Sequence, residues 1–145
     1  GRSKSQGTVL IQTKNVNHSL NRRLQLDDDI NYFDGELALR KEFGYPPYVK
    51  LIKIKFRSRN RKILYDGSNW FANALKTNMK SKILGPEFPI VSKIKNEFLM
   101  NLLIKVKPED KLFSIKNIIS KILKKFSTYS QFRLIKTNVD VDPYN

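Results

Sequence analysis

Lys53, Lys55, Arg57, Lys93, Lys95, Lys105, Lys107 and Lys136 stand where an alternating strand pattern would carry them to one face of a sheet. Ile52, Ile54 and Phe56 alternate with Lys53, Lys55 and Arg57. Ile90 and Ile94 oppose Lys93 and Lys95, and Leu102, Ile104 and Val106 oppose Lys105 and Lys107. Side chains alternate across a strand, so helices packed on the apolar parity would leave these cations on an open face. Lysines in such a row meet phosphates and position a nucleic-acid strand without reading its sequence. A sheet that reads unpaired bases presents aromatics for stacking, whereas the basic parity here carries Val49, Leu51, Val91 and Leu103. The chemistry expected is therefore sequence-nonspecific binding of a polyanion. A plainer role for the same lysines is to keep the sheet from pairing with another sheet.

The distribution of charge favours the first role. The chain of 145 residues has a formal net charge of +15. Residues 1–44 hold 7 Lys/Arg against 6 Asp/Glu, and residues 45–145 hold 21 against 7. An AT-rich coding bias would raise lysine throughout, so a step at Tyr45 points to a local cause, and neutralising phosphates is the simplest one.

Other candidate chemistry is thin. With no cysteine and one histidine, thiolate nucleophiles, disulfide frameworks and Cys/His zinc sites are excluded. His18 has no local nucleophile pattern and reads as a turn or packing residue. Asp140 and Asp142 share a strand parity without a third carboxylate, which suits salt bridging better than a metal. Asp27-Asp28-Asp29 suits a helix start, where carboxylates are favoured, better than a magnesium site. No Gly-Lys-Ser/Thr phosphate loop and no Gly-x-Gly-x-x-Gly is present, so no catalytic residue, metal or cofactor is expected within this chain. No run approaches the roughly 20 apolar residues of a membrane span, and the N-terminal residues lack the apolar core of a secretory signal. The expected setting is cytoplasmic, with no membrane partner.

The elements that would position the cations follow from period and punctuation. Gly7–Thr13 predicts a buried strand, and the segment through Gly44 predicts helices with Leu20, Leu24, Leu26, Ile30, Phe33, Leu37 and Phe43 as apolar positions. Gly44 predicts a helix stop, and Tyr45-Pro46-Pro47 predicts extended backbone and a domain boundary. Beyond it the pattern predicts a strand over 48–57 and a helix over 63–79 with Ile63, Trp70, Ala74 and Leu75 facing inward; Gly67 weakens its first turns. A loop is expected at Gly85-Pro86 and Pro89, then strands over 90–95 and 98–107 joined at Asn96-Glu97. A helix capped by Asp110 follows, with Leu112, Ile115, Ile119, Ile122 and Phe126 as its stripe, and a last strand over 132–141. The fold class is α+β: a ferredoxin-like β-α-β-β-α-β domain from about residue 45, preceded by a strand and helices over 1–44.

Several short motifs, in order, resemble primosomal protein N′, the bacterial replication-restart helicase family. Gly1-Arg2, the Gly7–Thr13 run and His18 are similar to the end of its second helicase lobe, with Val16 in place of the family's usual Pro. Asp29, Phe33, Glu36-Leu37, Arg40, Tyr45-Pro46-Pro47, Gly85-Pro86 and Asp140-Val141-Asp142-Pro143 match the following segments, with Ile30 in place of Tyr. The resemblance implies that residues 1–44 are the tail of a RecA-like lobe and that residues 45–145 are a basic C-terminal domain of ribosomal S10-like fold. It implies a parent ATP-dependent 3′-to-5′ DNA helicase whose ATP, magnesium and zinc sites lie outside this chain, so the chain is not itself an enzyme. The partners implied are single-stranded and forked DNA, the acidic C-terminal tail of single-stranded DNA-binding protein, and other primosome proteins, with the chain a monomer. Arg2 aligns with an arginine that contacts nucleotide in related helicases, and Lys111 and Lys116 are the candidates for docking the acidic tail. The family usually has arginine at Lys93 and Lys95 and an aromatic-Arg pair at Phe98-Leu99; lysine keeps the charge without the bidentate fork, and Leu99 drops a cation. Read without the resemblance, the same residues also suit an S10-like ribosomal or RNA-binding protein, or a module for acidic peptides.

Overall fold

A computed structural model describes residues 7–18, 21, 24 and 29–143 of the chain. It contains two compact units, Gly1–Leu39 and Arg40–Asn145. In the first, residues 7–13 form no strand, and Val9 and Leu10 are exposed, contrary to the expected buried strand. A strand is held by its ladder, and no strand pairs with this run among the described residues. His18 lies in a turn, its N–H bonded to the Asn15 carbonyl and its own carbonyl accepting from Asn21. Helix α1 covers Asp29–Phe43, and its Phe33, Leu37 and Phe43 side chains are exposed. Arg2, Leu20, Leu26, Asp27 and Asp28 lie outside the described residues.

Gly44 ends α1 as its sequence position suggests. With φ +64 it takes the left-handed conformation that costs a Cβ-bearing residue, and the Gly44 and Tyr45 N–H groups donate back to Lys41 and Arg40 carbonyls. The next residues turn instead of extending. The Pro46–Pro47 peptide is cis, and the Tyr48 N–H donates to the Tyr45 carbonyl. Arg40 Nη1 holds the turn from outside, donating to the Pro46 carbonyl at 3.2 Å.

The second unit has the order β1 (Lys50–Ser58), α2 (Arg61–Asn78), β2 (Lys82–Glu87), β3 (Lys93–Ile94), β4 (Glu97–Val106), α3 (Leu112–Thr128) and β5 (Lys136–Val141), with a short 3-10 turn at Ser130–Phe132. The strands run β2-β4-β1-β5, every pairing antiparallel, and β3 adds a two-residue ribbon to β4. This antiparallel sheet with two helices is an α+β domain consistent with the ferredoxin-like arrangement.

The strand expected over 90–95 is largely absent. Ile90 and Val91 are exposed, only Lys93–Ile94 pairs, and the edge strand is instead Lys82–Glu87. Gly85-Pro86, expected in a loop, sits inside it at a register shift between Leu84 and Glu87. An edge strand tolerates a residue with no N–H to donate. Gly85 has φ +89, and a Cβ there would stand 2.8 Å from the Asn101 carbonyl oxygen, so only glycine lets the bulge close on β4. The hairpin turn is Lys95-Asn96, both at positive φ, one residue earlier than expected.

Alternation builds the core from the sheet side. Ile52, Ile54 and Phe56 of β1 and Met100, Leu102, Ile104 and Val106 of β4 are buried beneath the helices. Helix α2 contributes Leu64, Phe71, Ala72 and Leu75, and α3 contributes Ile115, Ile119, Ile122 and Phe126. The α3 stripe is the expected one, with Leu112 packed at its edge; in α2 the inward stripe is rotated, so Ile63, Trp70 and Ala74 lie at its margin. Asn60 caps α2 by accepting the Ile63 N–H at 3.1 Å. Asp110 does not cap α3: Lys111 holds that position, while Asp110 Oδ2 accepts from the Lys107 N–H and Ser81 Oγ.

Gly67 serves packing rather than weakening its helix. A Cβ there would stand 2.4 Å from Ile135 Cδ1 and 3.1 Å from the Phe132 ring. Phe126 is the hub of the aromatic cluster, with ring centroids 5.1 Å from Phe132, 5.5 Å from Phe71 and 5.7 Å from Trp70. Gly67→Ala gains about 1 kcal/mol of helix propensity and meets about 1–3 kcal/mol of overpacking, so a net loss of about 1 kcal/mol is expected. Phe126→Ala is expected to cost about 3–5 kcal/mol. Urea unfolding of the two variants checks both the sign and the order.

Candidate nucleic-acid interface

The sheet face away from the helices is set by the register of β1, whose neighbours on both sides are antiparallel. Leu51 stands opposite Lys105; Lys53 opposite Leu103 and Asp140; Lys55 opposite Asn101 and Asn138; and Arg57 opposite Leu99 and Lys136. On the β2 edge, Lys82 faces Lys105 and Leu84 faces Leu103. Lys53, Lys55 and Arg57 therefore form a line down the central strand, about 6.7 Å between successive members. Lys136 widens the line at the β5 edge. Lys82 belongs to the same face at the other edge. Alternation could not find Lys82, because Gly85-Pro86 hides its strand.

The remaining expected members of the face are elsewhere. Lys93 pairs with Phe98, whose ring lies on the core side, and its ammonium sits 5.0 Å from that ring's centroid. Lys95 is at the hairpin tip with φ 47. Lys107 follows the end of β4 and pairs with Glu109 at 3.5 Å. A shifted strand explains the first two: once pairing starts at Lys93 and stops at Ile94, the parity of residues 90–95 no longer maps onto the main sheet.

Lys105 is on the face but not available from it. It is 6% exposed, donates from Nζ to the Phe43 carbonyl at 2.7 Å, and lies 3.7 Å from the centroid of the Tyr45 ring. Burial pulls its pKa below the ordinary lysine value, and the nearby Lys82 charge adds to the shift. The cation is spent on fastening the end of α1 to the sheet.

Acidic groups offset part of the remaining charge. Lys136 Nζ donates to Glu97 Oε1 at 2.7 Å, and this hydrogen bond is the main reason that the Glu97 carboxyl titrates below its usual range. Lys55 lies 3.5 Å from Asp140 Oδ2. Among the described residues Lys53 and Arg57 form no ion pair. Asp142 is structural: its Oδ1 accepts the Leu51 N–H at 3.2 Å and its N–H donates to the Leu51 carbonyl.

The apolar residues of the face are Leu51, Leu84, Leu99 and Leu103, with no aromatic in the strand positions. Of the four expected there, Leu51 and Leu103 are in place, while Val49 precedes β1 and Val91 lies in the loop before β3. Lys111 and Lys116 are exposed at the start of α3. Near them a cleft of about 290 Å³ runs between Pro47, Tyr48, Lys50, Lys107, Pro108 and Leu112. No group of three or more His, Cys, Asp or Glu is arranged for a metal among the described residues. No described helix is long and apolar enough to cross a membrane.

The Lys105 contact gives a test with a definite sign. The folded state releases the Lys105 proton before the unfolded state does, so stability from this group rises with pH between its lowered pKa and the ordinary 10.5. Lys105→Met is expected to flatten that alkaline rise and to speed hydrogen exchange at the Gly44, Tyr45 and Tyr48 amides. Matched stability curves and amide exchange of the two proteins measure both effects.

Comparison with known proteins adds kinship to this geometry. Residues 41–144 match the family model of the primosomal protein N C-terminal domain. Replication restart protein PriA of Bacillus subtilis is 27% identical over 99% of this chain and 18% of its own length. That of Treponema pallidum is 32% identical over 72% of this chain and 16% of its own. The chain thus spans less than a fifth of these relatives. The de novo designed protein Foldit4 superposes with a TM-score of 0.50 at 12% identity, over 67% of this chain and 99% of its own, a likeness of fold alone. Since the family model takes in every strand from β1 to β5 and both helices between them, the chain belongs to the primosomal protein N C-terminal domain family.

Proposed function

We propose that this chain is the DNA-gripping and partner-docking C-terminal part of an ATP-dependent 3′-to-5′ helicase that restarts replication at stalled forks. In this reading residues 45–145 hold single-stranded or branched DNA, and ATP, magnesium and zinc are bound by parts of the parent outside this chain. The observation that carries it is the line Lys53, Lys55 and Arg57 on the sheet face opposite the helices, in a family of replication proteins. Lysine and arginine at alternate strand positions can each neutralise a phosphate, and the absence of strand aromatics keeps this contact independent of sequence. Leu103, opposite Lys53, is the half-buried apolar residue beside this line, whereas Leu51 and Leu99 are buried. Lys136 and Lys82 extend the cationic field across the sheet, while Lys93, Lys95, Lys105 and Lys107 are not assigned to it.

Docking of the acidic tail of single-stranded DNA-binding protein, and of other primosome proteins, is part of the same proposal, as is the S10-like kinship of the fold. The cleft beside Lys50, Lys107 and Leu112 supports an acidic, apolar-ended peptide better than Lys111 and Lys116 alone do, because it joins cations to an apolar floor. Its one carboxylate, Asp110, is engaged by the Lys107 N–H and Ser81 Oγ.

Binding of a fluorescent single-stranded oligonucleotide should weaken steeply from 50 to 200 mM salt, as counterion release requires. Combined reversal at Lys53, Lys55 and Arg57 should lower the slope of log K against log salt by about 2, since each single-strand phosphate contact contributes roughly 0.7. Reversal of Lys121, Lys124 and Lys125, exposed on α3, is the control. Equal losses in the two triple variants would remove the sheet-face assignment. Conversely, Glu97→Gln frees Lys136 and removes a repelling charge, so it should tighten binding by about two- to five-fold at low salt. A weaker Glu97→Gln complex would mean that Lys136 does not meet phosphate.

A further inference from the structure

The strands of the sheet face carry no aromatic to stack a base, and the molecule has a stacking surface elsewhere. At the start of α2 the Arg61 guanidinium lies over the Phe88 ring, 5.0 Å from its centroid. Phe88 itself is half-buried against the core, so its ring is a fixed base for the guanidinium plane. Tyr65, one helical turn along, is exposed, although most large side chains of α2 point inward. Arg61, Lys62, Tyr65 and Phe88 together line a shallow cavity of about 430 Å³.

The backbone beneath Tyr65 is held twice, its carbonyl accepting from Ser68 Oγ at 3.1 Å and from Asn69 Nδ2 at 2.9 Å. Ser68 is buried against Met100 Sδ, which ties this turn of α2 to the sheet. Lys62 lines the cavity with an exposed cation, and Arg59, also exposed, stands just before Asn60, the cap of α2. The acidic groups adjacent in sequence to the lining residues are Asp66, next to Tyr65 on α2, and Glu87, which adjoins Phe88 and pairs with Asn101 on the opposite sheet face. Neither lines the cavity.

We infer that Arg61, Tyr65 and Phe88 form a second nucleic-acid site that stacks an unpaired base of single-stranded DNA, with Lys62 and Arg59 meeting the adjacent phosphates. A base enters between the outer face of the guanidinium and the Tyr65 ring; both are planar π surfaces that take any base. Duplex DNA cannot use the site, because its base faces are already covered by their neighbours. The site lies at the edge of the helix layer, so it adds base stacking to a domain whose sheet face supplies only charge. It rests on the proposed DNA-binding role but not on the sheet-face residues, and the two fail separately.

The test uses the 145-residue chain with a 15-nucleotide deoxythymidine strand carrying a central 2-aminopurine, and a blunt duplex of equal length. Tyr65→Ala should weaken the single strand by about five-fold or more, the range for losing one stacked base, and leave the duplex within about two-fold. The 2-aminopurine quench on binding should disappear in Tyr65→Ala and in Arg61→Gln, and persist in Tyr65→Phe, which keeps the ring. Tyr65 and Arg61 are exposed, so unchanged unfolding midpoints verify that the fold is intact. Each variant is also made with Lys53, Lys55 and Arg57 reversed. A Tyr65 effect that survives when the sheet reversal has no effect supports the stacking site and overturns only the sheet reading. An unchanged strand affinity in Tyr65→Ala, equal losses for strand and duplex, or a quench that survives without the ring would each overturn the stacking site.

Discussion

The central strand β1 is hydrogen-bonded on both sides, to β4 and to β5, and much of the second unit depends on that double pairing. A strand locked on both edges cannot slip by one residue without exchanging its two faces. Ile52, Ile54 and Phe56 are thereby committed to the helices, and Lys53, Lys55 and Arg57 to the other side. The transfer of three large apolar side chains from water, each worth roughly 1.5–3 kcal/mol, holds the register. The same free energy holds the cations in line, so their placement needs no contacts of its own.

Proximity on a face does not make cations equivalent. Lys105 is fully engaged by the Phe43 carbonyl and the Tyr45 ring, Lys136 by Glu97, and Lys55 partly by Asp140. The exposed pairs are screened and weak, so phosphates can displace them. The buried Lys105 contact differs, because removing its ammonium from the Phe43 carbonyl would leave a desolvated charge without a partner. A face with several cations thus divides into one that fastens the fold and others that can meet a polyanion.

How far the sequence could be read depended on whether a segment's neighbours were close along the chain. The inward residues of β1 and β4 and the stripe of α3 were legible, because burial on one face writes its period directly into the sequence. The stripe of α2 was read with the wrong rotation: Gly67 and Ser68 face inward, and neither looks like a core residue. Gly67 belongs there because Phe126, Phe132 and Ile135, brought from far along the chain, fill the space beside it, and Ser68 because its hydroxyl meets Met100 Sδ of β4. Strand β2 was missed because its Gly85-Pro86 bulge imitates a loop. Residues 90–95 alternate, yet only Lys93 and Ile94 find a pairing partner.

The sequence by itself determined the charge step near Tyr45, the helix stop at Gly44, the apolar stripe of α3 and the cationic parity of β1, all of which follow from local composition and period. Tertiary structure alone decided which strand forms the edge beside β4, that Lys105 is spent inside the fold, and that Arg61, Tyr65 and Phe88 meet at one cavity. Pairing across a sheet and packing between remote segments depend on three-dimensional neighbours, and a periodicity carried by one segment holds no record of what will lie beside it.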